Sequence, residues 1–383
     1  MSNRSSKGNG PLSGLRIIEI AGIGPGPFCG MMLADMGAEV IAVDRVGATL
    51  DRPELDCSRR GKRAITLNLK SAAGRDALLR LVKDADGLFE GFRPGVMERL
   101  GVGPDACLAA NPRLVYGRMT GWGQSGPLSS AAGHDINYIS LTGVLHAIGH
   151  AGDKPVPPLN LVGDFGGGGM MLAFGMVCAL LEARQSGHGQ VIDAAMTDGS
   201  AALMAGFHSA YARGAQRLER GVNRLDSGAH FYNTYETSDG KYISIGSIEP
   251  QFYAQLMEVA ELPREEFAEQ LDQSRWPALQ QQLETVFKSK TRDQWCALME
   301  GTDICFAPVL DLQEAQSHPH NVARGTYVDV GAMQQPAPAP RFSRTAGGVA
   351  FAGRAAGTDT DAVLAELGYD DNAIAQMRQA GDC

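Results

Sequence analysis

Hydrophobic and polar positions in the first half of the chain switch repeatedly between strand-like and helix-like patterns. A short β-rich run, Arg16 to Ile20, leads into a Gly/Pro turn, and an apolar helix is predicted to follow through Met36. A second strand, EVIAVD, comes next, and this β-turn-α-β order is the unit of a parallel sheet. Because ADGLFEGF and RLVYGRMT predict further strands, we expect an α/β large domain with a doubly wound, mostly parallel sheet over residues 1–195.

The pattern changes character beyond this predicted large domain. Asp239-Gly240 lies between two alternating aromatic and β-branched runs, which is a strong hairpin signal, and a helix is predicted to begin near Pro250. We therefore predict a linker over residues 196–224 and a smaller α+β domain over residues 225–312. The Pro-rich segment QQPAPAPRFSRT is predicted to be extended and to return the chain, over residues 313–383, to the large domain.

Composition and charge narrow the classes of function. The 383 residues are 44% hydrophobic and 20% charged, as in ordinary globular proteins. The formal net charge of −9 argues against nucleic acid as a partner. Seven cysteines without a CxxC pair indicate reduced thiols, and we expect a cytoplasmic protein. The apolar run MMLAFGMVCALLEA is too short for a membrane span, so we expect a buried helix there.

The turn GIGPGP partly matches the glycine fingerprint of dinucleotide-binding domains. Asp44 follows at a distance that suits contact with a ribose. However, Pro27 stands in place of the third glycine, and Pro25 and Pro27 lack the amide hydrogens that would face a pyrophosphate. A nicotinamide site is therefore disfavoured, while Arg45 suits a nucleotide that carries a phosphate on its ribose.

The segment SRRGKRAITLNLK concentrates positive charge in an acidic protein. Its basic residues are Arg59, Arg60, Lys62 and Arg63. One interpretation is a solvated loop or a nuclear signal. The other is a local positive site for a polyphosphate.

Two further stretches place single titratable residues where chemistry could occur. In GHDINY, His134 precedes a predicted helix, whose positive end favours the neutral imidazole that can act as a base. In NLVGDFGGGGMM, Asp164 is the only charge in an apolar, glycine-rich stretch, so it is either a helix cap or part of a binding site. Both follow strands or loops of the α/β domain, where such sheets bind ligands.

Together these stretches resemble the family III CoA transferase superfamily, and within it the racemases of 2-methylacyl-CoA thioesters. The resemblance covers about residues 10–360 and is carried by LSGLRIIEIAGIGPGPF, GKRAITLNLK, FRPGVMERLG, MTGWGQSGP, GHDINYISLTGVLHAIG, PPLNLVGDFGGGGM, YISIGSIEPQFY and PAPRFSRT. The combination of GHDINY with GDFGGG is more specific to the racemases than the shorter pieces are.

The resemblance implies a Rossmann-like large domain in an interlocked homodimer, with each active site between one subunit's large domain and the other's small domain. It implies that His134 and Asp164 are the catalytic acid/base groups and that Glu249, on the small domain, orients His134. It also implies that coenzyme A is contacted by Arg45, Thr66, Leu67, Asn68, Leu69, Arg93, Gly133, Asp135, Ile136, Asn137 and Tyr138.

The implied reaction interconverts (R)- and (S)-2-methylacyl-CoA by proton transfer at Cα through an enolate. Two groups on opposite faces of Cα would each be the base for one enantiomer and the acid for the other. The enolate needs stabilisation, for which we expect the backbone N–H of Asp135. We also expect the glycines after Asp164 to let the substrate approach closely. Coenzyme A is part of the substrate, and no metal or other cofactor is expected.

Two other functions stay open at this point. A family III CoA transferase would use Asp164 as a nucleophile that forms a mixed anhydride with the acyl group. Transferases of the superfamily generally lack the His of GHDINY and carry a glycine-rich loop where this chain has residues 247–251, which favours the racemase. An acyl-CoA-binding protein without catalytic activity should have lost the acid/base residues, whereas His134, Asp164 and Glu249 are all present.

Overall fold

The computed structural model describes residues 9–383. Its strands are β1 Arg16–Ile20, β2 Glu39–Asp44, β3 Lys62–Thr66, β4 Gly87–Glu90, β5 Val115–Thr120, β6 Val191–Ala195, β7 Tyr232–Glu236, β8 Tyr242–Gly246, β9 Phe306–Val309, β10 Tyr327–Val330 and β11 Met333–Pro336. Its α-helices are α1 Pro25–Asp35, α2 Ala72–Lys83, α3 Val96–Arg99, α4 Pro104–Ala110, α5 Asp135–Leu141, α6 Val144–Ala147, α7 Met171–Ser186, α8 Met196–Leu203, α9 Ala205–Ala212, α10 Pro250–Val259, α11 Arg264–Phe267, α12 Trp276–Phe287, α13 Arg292–Met299, α14 Leu312–Ser317, α15 Pro319–Arg324, α16 Thr360–Glu366 and α17 Asp371–Ala380. A π-helix, Leu161–Met170, runs directly into α7, and two short 3₁₀ turns are Pro53–Leu55 and Cys57–Arg59.

These elements divide into two compact units. The first unit holds residues 9–142, 159–203 and 323–383, and the second holds residues 143–158 and 204–322. Residues 196–224, expected as a linker, include α8 in the first unit and α9 in the second.

The sheet of the first unit is parallel throughout, in the order β3-β2-β1-β4-β5-β6. This is the strand order of doubly wound, dinucleotide-binding folds, and it confirms the predicted α/β class. Strand β1 lies between β2 and β4, with Ile18 opposite both Ile41 and Leu88. Strand order reverses between β1 and β4. In such sheets, ligands bind outside the carboxyl ends of the strands at this point.

Both faces of this sheet are covered. Ile18 and Ile41 pack with α2, α4, α16 and α17 on one face. Ile17 and Val40 point to the other face, where α1 and α7 pack. Burial on both faces explains why the strands read as nearly continuous apolar runs.

The long helix formed by the π-helix and α7 buries only one of its faces. Leu161–Ser186 is long and apolar enough to span a membrane by length and composition, but 44% of its most apolar window is buried inside the protein. Leu172, Met176 and Leu180 lie in the core, whereas Phe174 is 69% and Leu181 61% exposed. The prediction of a buried helix is therefore correct for one face and wrong for the other.

Residues near the C-terminus complete the outer edge of the sheet. The backbone N–H groups of Ala64 and Thr66 in β3 donate to Oδ2 of Asp359 and to Oγ1 of Thr360, each at 2.9 Å. Further along, Asn68 N–H donates to the carbonyl of Asp382 at 2.8 Å. The return of the C-terminal part to the first unit thus satisfies an edge strand that would otherwise be open.

The second unit is built on the antiparallel sheet β7-β8-β9. Its hairpin turns at Asp239-Gly240, where Gly240 has a φ of 72°, and α10 begins at Pro250, so both sequence predictions are confirmed. Helices α10–α13 cover a core that includes Phe231, Trp276 and Trp295.

The Pro-rich segment differs from its prediction at its start. Residues 334–336 belong to β11, which pairs with β10 in an antiparallel hairpin, and are not part of a free connector. The backbone of β11 finds hydrogen-bond partners because its proline lies at the last position of the strand.

Candidate active site

A cavity of about 500 Å³ opens at the carboxyl edge of the first unit's sheet. Its walls are the loops that follow β1, β4 and β5 together with α5 and the π-helix. It is lined by Ile20, residues 22–27, 91–94 and 119–122, Ser129, residues 131–134, Asn137, Tyr138, Asp164 and Met196. The cavity lies beside the reversal in strand order, which is where this class of sheet binds ligands.

His134 is the residue that precedes the first turn of α5, as the sequence predicts. Its backbone N–H donates to Oδ1 of Asn137 at 3.0 Å, and the hydroxyl of Tyr138 donates to the carbonyl of Gly133. The Tyr138 ring also packs edge-on against Trp122, with centroids 4.7 Å apart. The backbone around His134 is therefore fixed, while its side chain is exposed and lines the cavity.

Asp164 lies on the π-helix and lines the same cavity. Nδ2 of Asn160 donates to its Oδ2 at 3.0 Å. The β1–α1 loop approaches this carboxylate so closely that a Cβ on residue 24 would lie 2.9 Å from Oδ2. Gly24 also has a φ of 68°, so glycine is required there for two reasons. The structure thus brings His134 and Asp164 to one cavity, as the sequence led us to expect.

The glycines that follow Asp164 do not expose their backbone to a substrate. A Cβ on Gly167 would lie 2.5 Å from Oγ of Ser200, and one on Gly169 would lie 2.7 Å from the carbonyl oxygen of Pro25. These glycines instead let α8 and α1 pack closely on the π-helix. That part of the prediction is wrong, because the glycine that opens space at the Asp164 carboxylate is Gly24.

Asp135 is buried, with 7% of its surface exposed, although it directly follows the exposed His134. Its Oδ1 accepts the backbone N–H of Asp164 at 2.7 Å. Burial raises the pKa of the Asp135 carboxyl, and the negative charge of Asp164 raises it further. The backbone N–H of Asp135 donates no hydrogen bond within the described residues, which leaves it available as the expected enolate donor.

The loop after β4 is anchored by a second buried carboxyl group. Oε2 of Glu90 accepts the backbone N–H of Phe92 at 2.6 Å, and Oε1 lies 3.4 Å from Nε of Arg118. Glu90 is 1% exposed, and burial raises its pKa to about 7. The Glu90 carboxyl group therefore fixes the backbone of the loop that carries Phe92 and Arg93 into the cavity.

The basic cluster of residues 59–63 is not a phosphate site. Each of its cations forms an ion pair with a carboxylate: Arg59 with Asp44 at 2.6 Å, Arg60 with Asp35 at 2.5 Å, Lys62 with Glu19 at 2.5 Å, and Arg63 with Glu39 and Glu366 at 2.8 Å. Arg60 and Lys62 are each 2% exposed, so a solvated loop or nuclear signal is also excluded. Asp44 is engaged with Arg59 and does not face a ribose.

Arg45 and Arg93 differ from that cluster. Neither forms an ion pair with a carboxylate in residues 9–383. Arg93 lines the cavity, and Arg45 is exposed just beyond the end of β2. Both remain free to meet an anionic ligand.

The other implied coenzyme A contacts have mixed surroundings. Gly133, Asn137 and Tyr138 line the cavity, and Ile136 is 42% exposed. Leu67, by contrast, is 3% exposed and packs in the core. In the rest of that segment, the Thr66 N–H donates to Oγ1 of Thr360, the Asn68 side-chain amide donates to the Gly381 carbonyl at 3.2 Å, and Leu69 is partly buried. These contacts stay predictions.

Glu249 belongs to the second unit, where it precedes the first turn of α10. It is exposed, and its carboxylate accepts no hydrogen bond among the residues that the structure describes. Its role beside His134 stays a prediction, because His134 lies in the first unit.

Sequence reasoning missed Asn160 and Gly24. Asn160 lies four residues before Asp164, which is a helical spacing that could have pointed to their contact. Gly24 approaches Asp164 from a different part of the chain, and no local pattern reports that approach. Within residues 9–383, no group of three or more His, Cys, Asp or Glu residues is placed to hold a metal ion.

Comparison with known proteins gives the family of the chain. Residues 12–360 match the model of CoA-transferase family III. The chain belongs to this family. The α-methylacyl-CoA racemase of Mus musculus is 46% identical over 369 residues, and that of Homo sapiens 42% identical over 368, each alignment covering 96% of both chains. The crystal structure of a CAIB/BAIF family protein from Brucella suis matches with a TM-score of 0.82 at 26% identity, covering 94% of this chain and 100% of that one.

Proposed function

We propose that this chain is an α-methylacyl-CoA racemase that interconverts (R)- and (S)-2-methylacyl-CoA thioesters in fatty-acid metabolism. The observation that carries the proposal is the meeting of His134 and Asp164 in one cavity of a CoA-transferase family III fold. Two relatives that align over 96% of the chain bear the same enzyme name.

The chemistry requires a proton to leave Cα and another to return on the opposite face. Asp164 and His134 each remove the proton of one enantiomer, which leaves an enolate, and the other group then delivers its proton to Cα. The thioester carbonyl takes up the electron pair of the broken C–H bond. Neither side chain is basic enough to do this alone, so the enolate oxygen must be stabilised as it forms. The free backbone N–H of Asp135 is the donor that we assign to it.

Coenzyme A binds through the charges that the fold leaves unpaired. Arg93 projects into the cavity and Arg45 lies outside it, and both lack carboxylate partners in the described chain. We assign them to the phosphate groups of the nucleotide, because the guanidinium group matches phosphate oxygens in two-pronged geometry. The segments 66–69 and 133–138 would contribute the remaining contacts.

The active enzyme is proposed to be an interlocked homodimer in which Glu249 reaches His134 of the other subunit. One face of the long helix formed by the π-helix and α7 supports such an assembly, because Met170, Phe174, Val177 and Leu181 are exposed there at 40–69%. A row of large apolar side chains at this spacing is typical of a helix that packs against a partner. We place the enzyme in the cytoplasm and propose no metal or redox cofactor.

The decisive experiment is solvent deuterium uptake at Cα, starting separately from each pure enantiomer of a 2-methylacyl-CoA. We expect exchange and racemisation from both enantiomers without any acceptor acid. A CoA transferase would instead use Asp164 to form an acyl anhydride and would turn over only when a second carboxylic acid is added. Turnover that depends on an acceptor, without Cα exchange, would contradict the proposal and favour the transferase.

A further inference from the structure

Asp135 connects the two elements that carry the proposed acid/base groups. It follows His134 in the chain and is the first residue of α5. Its Oδ1 accepts the backbone N–H of Asp164, on the π-helix, at 2.7 Å. A Cβ on Gly163 would overlap the same oxygen, so the carboxylate lies directly against the peptide that links residues 163 and 164.

The carboxylate of Asp135 does not face the cavity. Its neighbours His134 and Asn137 line the cavity, but Asp135 does not, and it is 7% exposed. Its Oδ2 is also buried and has no hydrogen-bond partner within the described residues. A buried carboxylate oxygen without a hydrogen-bond partner costs free energy, so the position of the Asp135 side chain calls for a physical explanation.

The backbone on each side of this contact is independently fixed. On the α5 side, Asn137 holds the His134 N–H at 3.0 Å, and Tyr138 holds the Gly133 carbonyl. On the other side, the glycines of the π-helix pack tightly against α1 and α8. The Asp135 carboxylate is therefore a short, direct connection between two otherwise separate supports.

We infer that Asp135 is a positioning residue whose carboxylate sets the location of Asp164 relative to His134. Its side chain does not contact coenzyme A, in contrast to what the resemblance implies for the segment 133–138. The inference rests on the proposed function, because it matters only if His134 and Asp164 act on the same carbon. Misplacing a reacting group by about 1 Å can cost on the order of 100-fold in rate while binding is little affected.

Asp135→Ala, Asp135→Asn and, as a matched control, Asp105→Asn test this inference. Asp105 is an exposed acid in the first turn of α4, so the control makes the same charge change at the start of a helix that does not line the cavity. We expect Asp135→Ala to lower kcat by about tenfold or more with KM within about threefold of wild type. Asp135→Asn keeps an oxygen acceptor for the Asp164 N–H and should recover most of kcat. The control should match wild type.

A second variant keeps the inference testable if Asp135→Ala fails to fold. Gly163→Ala changes none of the acid/base residues, but its added methyl group would displace the Asp135 carboxylate. It should therefore lower kcat as Asp135→Ala does. A rise in KM with unchanged kcat in the Asp135 variants would overturn the inference and make the side chain a coenzyme A contact. Unchanged kcat and KM in Gly163→Ala, or in a folded Asp135→Ala, would overturn it as well. If the wild type itself shows no Cα exchange, the proposed function fails, which is a separate outcome.

Discussion

Two groups of charged residues in the first unit lie within a few strands of each other and differ in whether their charges are paired. The cations of residues 59–63 are each matched by a carboxylate, and two of them are 2% exposed. At the carboxyl edge of the sheet, Arg45, Arg93 and His134 have no such partner in the described chain, and Asp164 has only the amide of Asn160. The fold neutralises the charges of the first group and leaves those of the second without an ion-pair partner.

A high density of charge along a sequence is therefore a poor guide to a ligand site. A cluster of cations is costly to bury unless each charge is paired, and once paired it no longer attracts a phosphate. Isolated charges without an ion-pair partner at a cavity create an electrostatic potential that can attract a charged substrate. The comparison predicts that substitutions in the first group act on stability and that those in the second act on turnover or binding.

The largest expected effect is on the two proposed bases. Asp164→Asn and His134→Ala should each lower racemisation by about 10³-fold or more, because one of the two proton transfers is lost. Each variant should retain Cα exchange from one enantiomer only, and the two variants should prefer opposite enantiomers. Proton NMR of each pure enantiomer in deuterium oxide measures this, with His188→Ala as an exposed control. Equal residual exchange from both enantiomers in both variants would leave a single shuttling base.

Lys62→Met should reduce the free energy of unfolding by about 3–5 kcal/mol, because it leaves the buried Glu19 carboxylate without its partner. Lys62→Met combined with Glu19→Gln should recover much of this loss. Denaturant unfolding of the single and double variants gives the comparison. A normal stability with a raised KM for the acyl-CoA would instead show that the cluster does bind phosphate.

The pH dependence of stability should carry a contribution from Glu90. Its pKa is raised to about 7 in the folded state, so the folded protein holds this proton more tightly than the unfolded chain does. The stabilising effect is complete below the unfolded pKa, near 4.5, and is lost as the pH rises through about 7, at a cost of roughly 3 kcal/mol. In Glu90→Gln, the free energy of unfolding should change less with pH between about 4.5 and 7 than it does in the wild type. The same slope against pH in both proteins would contradict the assignment.

Glu249→Gln should lower kcat by roughly tenfold, less than His134→Ala does, because it keeps a hydrogen-bonding group but loses the charge that stabilises an imidazolium. Glu258→Gln, exposed on the same helix, is its control. Co-expression of Glu249→Gln with His134→Ala tests the shared site. Random pairing should restore about a quarter of the sites to wild type if two chains form each site. No recovery would place both residues of a site on one chain.

Arg45→Gln and Arg93→Gln should have the smallest effects, raising KM by about tenfold with a smaller change in kcat, as loss of uniform binding does. Steady-state kinetics over a range of acyl-CoA concentrations separates the two parameters. A collapse of kcat at constant KM would mean that these arginines act on the reacting carbon.

The sequence predicted the parallel sheet, the hairpin at Asp239-Gly240 and the positions of His134 and Asp164, because each depends on a local pattern. It did not predict which cations would be paired, since Glu19 meets Lys62 across 43 positions of the chain. It also assigned the glycines after Asp164 to the substrate, although they pack against helices from elsewhere. Contacts between distant segments carry no local signature.

The closure of the β3 edge by Asp359 and Thr360 has a consequence for synthesis of the protein. Those residues follow their partners in β3 by 295 and 294 positions, so the ribosome releases the edge strand long before they are made. Until then the strand offers unpaired amides to any neighbouring chain, which is a route to aggregation. Residues 204–322 form one continuous stretch of the second unit and emerge before that closure. Strand β3 is thus made early, but its outer edge is covered only at the end of synthesis. A truncated chain that lacks residues 359 and 360 would leave this edge of the sheet open.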